Sequence, residues 1–223
     1  MVGSLPRVAH RSDATLVVLN GVRLKGLASG RVLADLTGLE PAEIEGALAE
    51  LAAADLVVER SGRVSGWAAT PAGRQEHQRR LAFDLRTAGC RRELEESYGA
   101  FMELNAELLA TCTAWQVRDD SASRLNDHSD LIYDQQVLKR LAMVDDAIQP
   151  TCERIASLME RMALYGSRLA EARRRVEEGQ LDWFARPLLD SYHSVWFELH
   201  EDFLMTLGFE RAAAHPEPGR GRP

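Results

Sequence analysis

One short stretch interrupts a chain that otherwise reads as helix. From Leu56 to Ala69 the apolar residues lose their helical spacing: Leu56-Val57-Val58-Glu59-Arg60 and Val64 to Ala69 are extended segments around Ser61-Gly62-Arg63, which predicts a β-hairpin. Helix signals flank it closely. Asp13 is placed to cap a helix over Ala14 to Leu27, Gly30 to Leu36 suggests a second that closes at Thr37-Gly38, and Pro41 suits the first turn of a third. That third helix runs to about Ala54 with Ile44, Leu48 and Leu51 on one face. After the hairpin, Thr70 as N-cap and Pro71 in the first turn open a fourth helix. Three short helices, a hairpin and a helix therefore fit within Asp13 to about Leu81. Residues 1–12 show no periodic pattern and are expected to be a flexible leader.

The stretch Leu33 to Arg74 resembles the winged helix-turn-helix of MarR-type and related bacterial transcription regulators. A T-G-L turn, here Thr37-Gly38-Leu39, precedes the recognition helix in such proteins. The wing is left through an L-T-P-x-G-R motif, present here as Ala69-Thr70-Pro71-Ala72-Gly73-Arg74. The resemblance implies a recognition helix at Pro41 to Ala54, a wing at the hairpin, and DNA as partner.

Beyond Arg74 the pattern is helical almost throughout. Positions 94, 98, 101, 105, 108, 112 and 115 hold Leu, Tyr, Phe, Asn, Leu, Cys and Trp, a packing face with one polar intruder. A polar loop, Asp119 to Asp130, precedes a helix from Leu131 to about Met162 that Pro150 should bend or break. Ser167 to Glu178 and Pro187 to Leu207 complete the set. The expected fold is mainly α: a leader (1–12), a winged helix-turn-helix domain with a small hairpin wing (13–81), a C-terminal helical bundle domain for dimerisation and ligand binding (90–210), and a disordered tail (211–223) rich in Pro, Gly and Arg.

Composition narrows the function. No run of the 223 residues approaches the roughly 18 to 20 apolar residues that span a bilayer, and no secretory leader is evident, so no membrane association and a cytoplasmic location are expected. Cys90, Cys112 and Cys152 follow neither a disulfide nor a zinc spacing and are expected in the core. Residues 1–80 carry ten basic against nine acidic side chains, the remainder seventeen against twenty-five, so contact with nucleic acid would fall to the first third. The candidates there are Arg31, Thr37, Arg60, Arg63 and Arg74. The third helix itself, PAEIEGALAELAAA, offers Glu43, Glu45 and Glu50 and no side-chain donor to a base edge. Outward glutamates would favour a protein partner; glutamates buried against arginines would favour DNA.

Ligand chemistry is concentrated further on. On a helical wheel of Leu189 to Leu207, His193 and His200 fall within the apolar stripe, with Ser191, Glu198 and Asp202 opposite. Buried imidazoles need partners. A cleft is expected in which Trp115, Arg118, Asn126, Asp127, His128 and Tyr133 meet Tyr192, His193, Trp196 and His200, with Arg118 available for an acidic effector. A satisfied polar network that fixes helix register is the competing reading. A metal set from Asp127, His128, His193 and His200, as in the helical domains of GntR-type regulators, carries less weight, because His193 and His200 are seven residues apart. No cofactor motif or nucleophile elbow is present, so neither cofactor nor metal is expected and no catalytic residue is assigned. The functional expectation is a homodimeric, DNA-binding transcription regulator with a small-molecule effector. The alternative is a winged helix that contacts protein, joined to a helical domain that scaffolds or catalyses.

Overall fold

The computed structural model describes residues 8–118 and 124–209. The first seven residues of the expected leader, residues 119–123 of the polar loop and the expected tail at 211–223 lie outside them. Among the described residues the protein is mainly helical, with one antiparallel pair of strands, and no helix is long and apolar enough to cross a membrane. The chain divides into two compact units. One comprises Ser12–Arg91 with the chain from His200 onward; the other comprises Arg92–Leu199 with the chain up to Arg11.

In the hairpin-containing unit the elements are α1 (Ala14–Lys25), α2 (Gly30–Thr37), α3 (Pro41–Ala53), β1 (Val57–Arg60), β2 (Gly66–Ala69) and α4 (Pro71–Ala88). Local chemistry sets each boundary. The Asp13 carboxylate accepts from the backbone N–H of Thr15 at 2.9 Å and starts α1. Gly38 closes α2 in the left-handed conformation, φ 70°. The Glu40 N–H donates to the Glu43 carboxylate at 3.2 Å to open α3. Val18, Leu19 and Val22 of α1 form the core with Leu33, Ile44, Leu48, Leu51 and Val57. The strands pair from Val57 with Ala69 to Arg60 with Gly66. Ala28, between α1 and α2, adds an isolated antiparallel bridge to β2: it exchanges two backbone hydrogen bonds with Trp67, at 3.0 and 2.8 Å.

Thr70 Oγ1 caps α4, accepting from Gly73 N at 2.9 Å and donating to the Asp55 carbonyl at 2.7 Å. Gly73 lies against the Leu56 backbone so closely that a Cβ there would sit 1.9 Å from the Leu56 carbonyl oxygen, a position only glycine occupies.

In the helical unit α5 (Arg91–Gln116), α6 (Leu131–Leu158), a 3₁₀ turn (Glu160–Met162), α7 (Leu164–Glu177) and α8 (Asp182–Ala185) are followed by α9 (Tyr192–Leu207), which continues past Leu199 into the other unit. The packing face expected on α5 is buried at Leu94, Phe101, Asn105, Leu108, Cys112 and Trp115 and half-buried at Tyr98. Three expectations are corrected. Pro150 does not break α6, which runs through it from Leu131 to Leu158; Pro150 and Asp146, whose carbonyl loses its helical donor, both lie on the exposed side of the helix. The last helix starts at Tyr192 rather than near Pro187, and a separate turn of helix, α8, precedes it. The leader is not free to its end: His10 exchanges backbone hydrogen bonds with Leu158 and Glu160, both at 2.9 Å, and in the other unit Ser12 Oγ donates to Asp84 at 2.8 Å. All three cysteines are buried thiols, and burial pushes Cys112 and Cys152 up to about 12.

Candidate functional site

In the hairpin-containing unit the structure separates the five residues expected to meet DNA. Arg60 and Arg63 lie at the open tip of the hairpin, and Arg31 in the first turn of α2; all three are exposed, and no ion pair holds them among the described residues. Thr37 is half-buried, donating to the Leu33 carbonyl at 2.7 Å and accepting from Leu39 N at 3.2 Å. It shapes the turn between α2 and α3. Arg74 sits at the other end of the strands, about 10 Å from the tip at ~3.3 Å per residue, with its guanidinium donating to the Ala69 carbonyl at 3.1 Å. Its charge falls near Arg23, whose pKa is lowered by burial first and by Arg74 second, with Glu201 opposing. Arg74 therefore belongs to a different patch from the tip arginines.

The α3 surface is acidic. Ile44, Ala47, Leu48 and Leu51 face the core, while Ala42, Glu43, Glu45, Gly46, Ala49, Glu50 and Ala53 are exposed. Only Glu43 has a local task, at the start of its own helix. No arginine screens Glu45 or Glu50 among the described residues.

In the helical unit Trp115, Asn126 and His128 do come together. The agent is Asp134, one turn into α6, which sequence reasoning missed because it reads there as an ordinary first-turn acid. Asn126 Nδ2 donates to the Trp115 carbonyl at 3.1 Å and to Asp134 Oδ1 at 2.8 Å, and His128 Nδ1 lies 3.0 Å from Asp134 Oδ2. His128 Nδ1 also lies 3.3 Å from Asn126 Nδ2, a donor; the carboxylate is the closer of the two and only accepts, which favours a proton on Nδ1. The Trp115 ring packs against the His128 ring at 4.3 Å between centroids and stacks on Phe184 at 4.4 Å. His128 itself has φ 58°, an uncommon conformation for a side chain of this size.

Beside this cluster Arg118 donates to Asp130 at 2.7 Å and lies over the Tyr133 ring, 4.5 Å from its centroid. The Asp130 pKa is lowered, first by that bond and then by its cap bond from Tyr133 N. Asp127 accepts from the Ser129 hydroxyl and backbone and serves the turn. The expected acid-binding role of Arg118 is thus already met by Asp130.

The rest of the expected cleft is corrected. The Tyr192 hydroxyl donates to Asp145 at 3.2 Å, and burial together with that carboxylate raises its pKa. Trp196 Nε1 donates to Asn105 at 2.9 Å, which explains the polar intruder on α5. His193 is half-buried, with burial lowering its pKa, and His200 belongs to the other unit. The face read as polar is buried: Ser191, Glu198 and Asp202 are 0%, 6% and 1% exposed, while Phe197 is exposed. A wheel assumes a helix packed on one side, whereas α9 is buried around most of its circumference. Glu198 is compensated by Arg168 at 2.7 Å. Among the described residues no group of three or more His, Cys, Asp or Glu is placed to hold a metal ion.

The chain matches no protein-family model, no curated protein and no solved structure.

Proposed function

We propose that Ser12–Arg91 contains a winged helix-turn-helix used as a protein-contact module, and that the chain is a regulatory protein working through that contact. The order α1, α2, α3, β1, β2, α4 supports the winged-helix reading: three helices, a hairpin and a helix, with the turn at Thr37–Leu39 before α3 and the hairpin directly after it. The observation that carries the function is the outward face of α3. In a DNA reader this helix enters the major groove and donates hydrogen bonds. Here it presents Glu43, Glu45 and Glu50 between Ala42, Gly46, Ala49 and Ala53. Carboxylates on that face repel phosphate, while small residues permit close approach of a partner backbone. The complementary partner is a protein surface bearing Arg or Lys.

A photo-crosslinking residue at Ala49, introduced in the native host, tests this. A defined protein adduct that disappears in the Glu45→Arg, Glu50→Arg variant is expected. An unchanged adduct, or none, would overturn the reading. Arg31, Arg60 and Arg63, exposed and in no ion pair among the described residues, favour a second reading, phosphate contact by the wing with little base preference.

A further inference from the structure

The Asp134–His128 pair has no part in the function proposed above, and it has the form of a chemical site. Three observations converge on it. Asp134, whose side chain is 10% exposed, sits 3.0 Å from His128 Nδ1 and favours the Nδ1–H tautomer over the 3.3 Å contact from Asn126 Nδ2, an arrangement that leaves Nε2 as the free end of the ring. That nitrogen has no partner among the described residues, and the His128 side chain is 31% exposed, so solvent and solutes reach it. The backbone is held at φ 58° by Asn126, whose Oδ1 accepts from His128 N at 3.2 Å and whose Nδ2 ties the turn to Trp115.

The surroundings suggest the substrate class. Leu125, Leu131 and Ile132, in the same loop and the first turn of α6, are 75%, 71% and 72% exposed, an apolar rim on the segment that carries the imidazole. We propose that His128 is a nucleophilic catalytic residue for activated acyl compounds, esters or thioesters with an apolar chain, and that Asp134 is its positioning residue. In the first step Nε2 bonds to the carbonyl carbon and the bond to the alkoxide or thiolate breaks, the leaving group departing with the electron pair. The Nδ1 proton passes to Asp134 Oδ2 and the leaving group departs as the anion. Water then adds to the acyl-imidazole, releasing the carboxylic acid; Asp134 returns that proton to Nδ1, restoring the Nδ1–H form, one hydrogen of the water stays on the carboxylic acid and the other passes to solvent.

The test uses the full chain with p-nitrophenyl acetate and p-nitrophenyl hexanoate. Nitrophenolate release faster than an equal concentration of imidazole is expected, faster for hexanoate, with the acyl group mapped to His128 by mass spectrometry at early times. His128→Asn is the variant of choice because Asn tolerates positive φ, and it is expected to fall to background. Asp134→Asn is expected to slow the reaction about 10-fold or more and to remove the Nδ1–H tautomer seen by ¹⁵N shifts in the unaltered protein. Acylation at another residue, a His128→Asn rate equal to wild type, or an Nε2–H tautomer in the unaltered protein would overturn the assignment. A hexanoate preference that survives Leu131→Ser with Ile132→Ser would overturn the apolar-chain class.

Discussion

The two units are held together differently. In Ser12–Arg91 the interior is largely aliphatic, crossed by two buried polar pairs, Asn20 with His77 and Ser12 with Asp84, and many polar groups lie at element ends: Asp13, Ser29, Glu40 and Thr70 each start a helix. In the helical unit polar side chains enter the interior and bind across it: Arg168 to Glu198 and Asp190, Arg173 and Tyr192 to Asp145, Trp196 to Asn105, Asn126 to Asp134. A cap acts on its own helix. A buried pair ties helices far apart in sequence and becomes costly when one member is lost.

That contrast predicts unequal losses. Arg168→Ala should be the most damaging change, about 3 to 5 kcal/mol by urea denaturation, because it removes the buried guanidinium that compensates Glu198 and Asp190. Arg168→Ala with Glu198→Gln should recover part of the loss. In the aliphatic unit Gly73→Ala should cost about 1 to 3 kcal/mol as the start of α4 is pushed off Leu56, read as a lower melting temperature. Thr70→Ala should cost about 1 kcal/mol, the value of one cap. A Thr70 loss equal to that of Arg168 would erase the distinction between the units.

The smallest effect is a pH dependence. Bonds from Arg79 and then Arg80 hold the Glu76 carboxyl down at about 2. A depressed carboxylate pKa stabilises the fold fully above its unfolded value near 4.5 and loses that contribution as pH falls toward 2. Arg79 is largely exposed, so solvent screening limits the gain to about 0.5 kcal/mol. The stability difference between wild type and Glu76→Gln should shrink from pH 5 to pH 2, seen in urea melts at the two ends.

The same contrast explains what the sequence made legible. The caps at Asp13 and Thr70, the Gly38 turn and the hairpin depend on neighbours within a few residues, and each stands where the pattern put it. The exposed face of α3 was equally readable, because an amphipathic helix with a plain apolar stripe leaves little choice of orientation. α9 was not: Glu198 and Asp202 looked like a solvent face, and the arginine that compensates the buried Glu198, Arg168, lies thirty residues upstream. The candidate site was half legible. Trp115, Asn126 and His128 stood out by residue type, but Asp134, which joins them, lies in a helix start where an acid is ordinary. Tyr192 and Trp196 had the right chemistry for a ligand wall, and their polar atoms are instead used by Asp145 and Asn105.

The most direct measurement is fluorescence anisotropy of labelled duplex DNA, from the gene's upstream region and from a scrambled control, at about 50 and 200 mM salt. The acidic α3 face predicts no sequence-selective binding at either salt, and at most weak binding at the lower one that vanishes in Arg60→Ala with Arg63→Ala. Tight binding that distinguishes the two duplexes at the higher salt would contradict the account and place α3, glutamates included, in the groove.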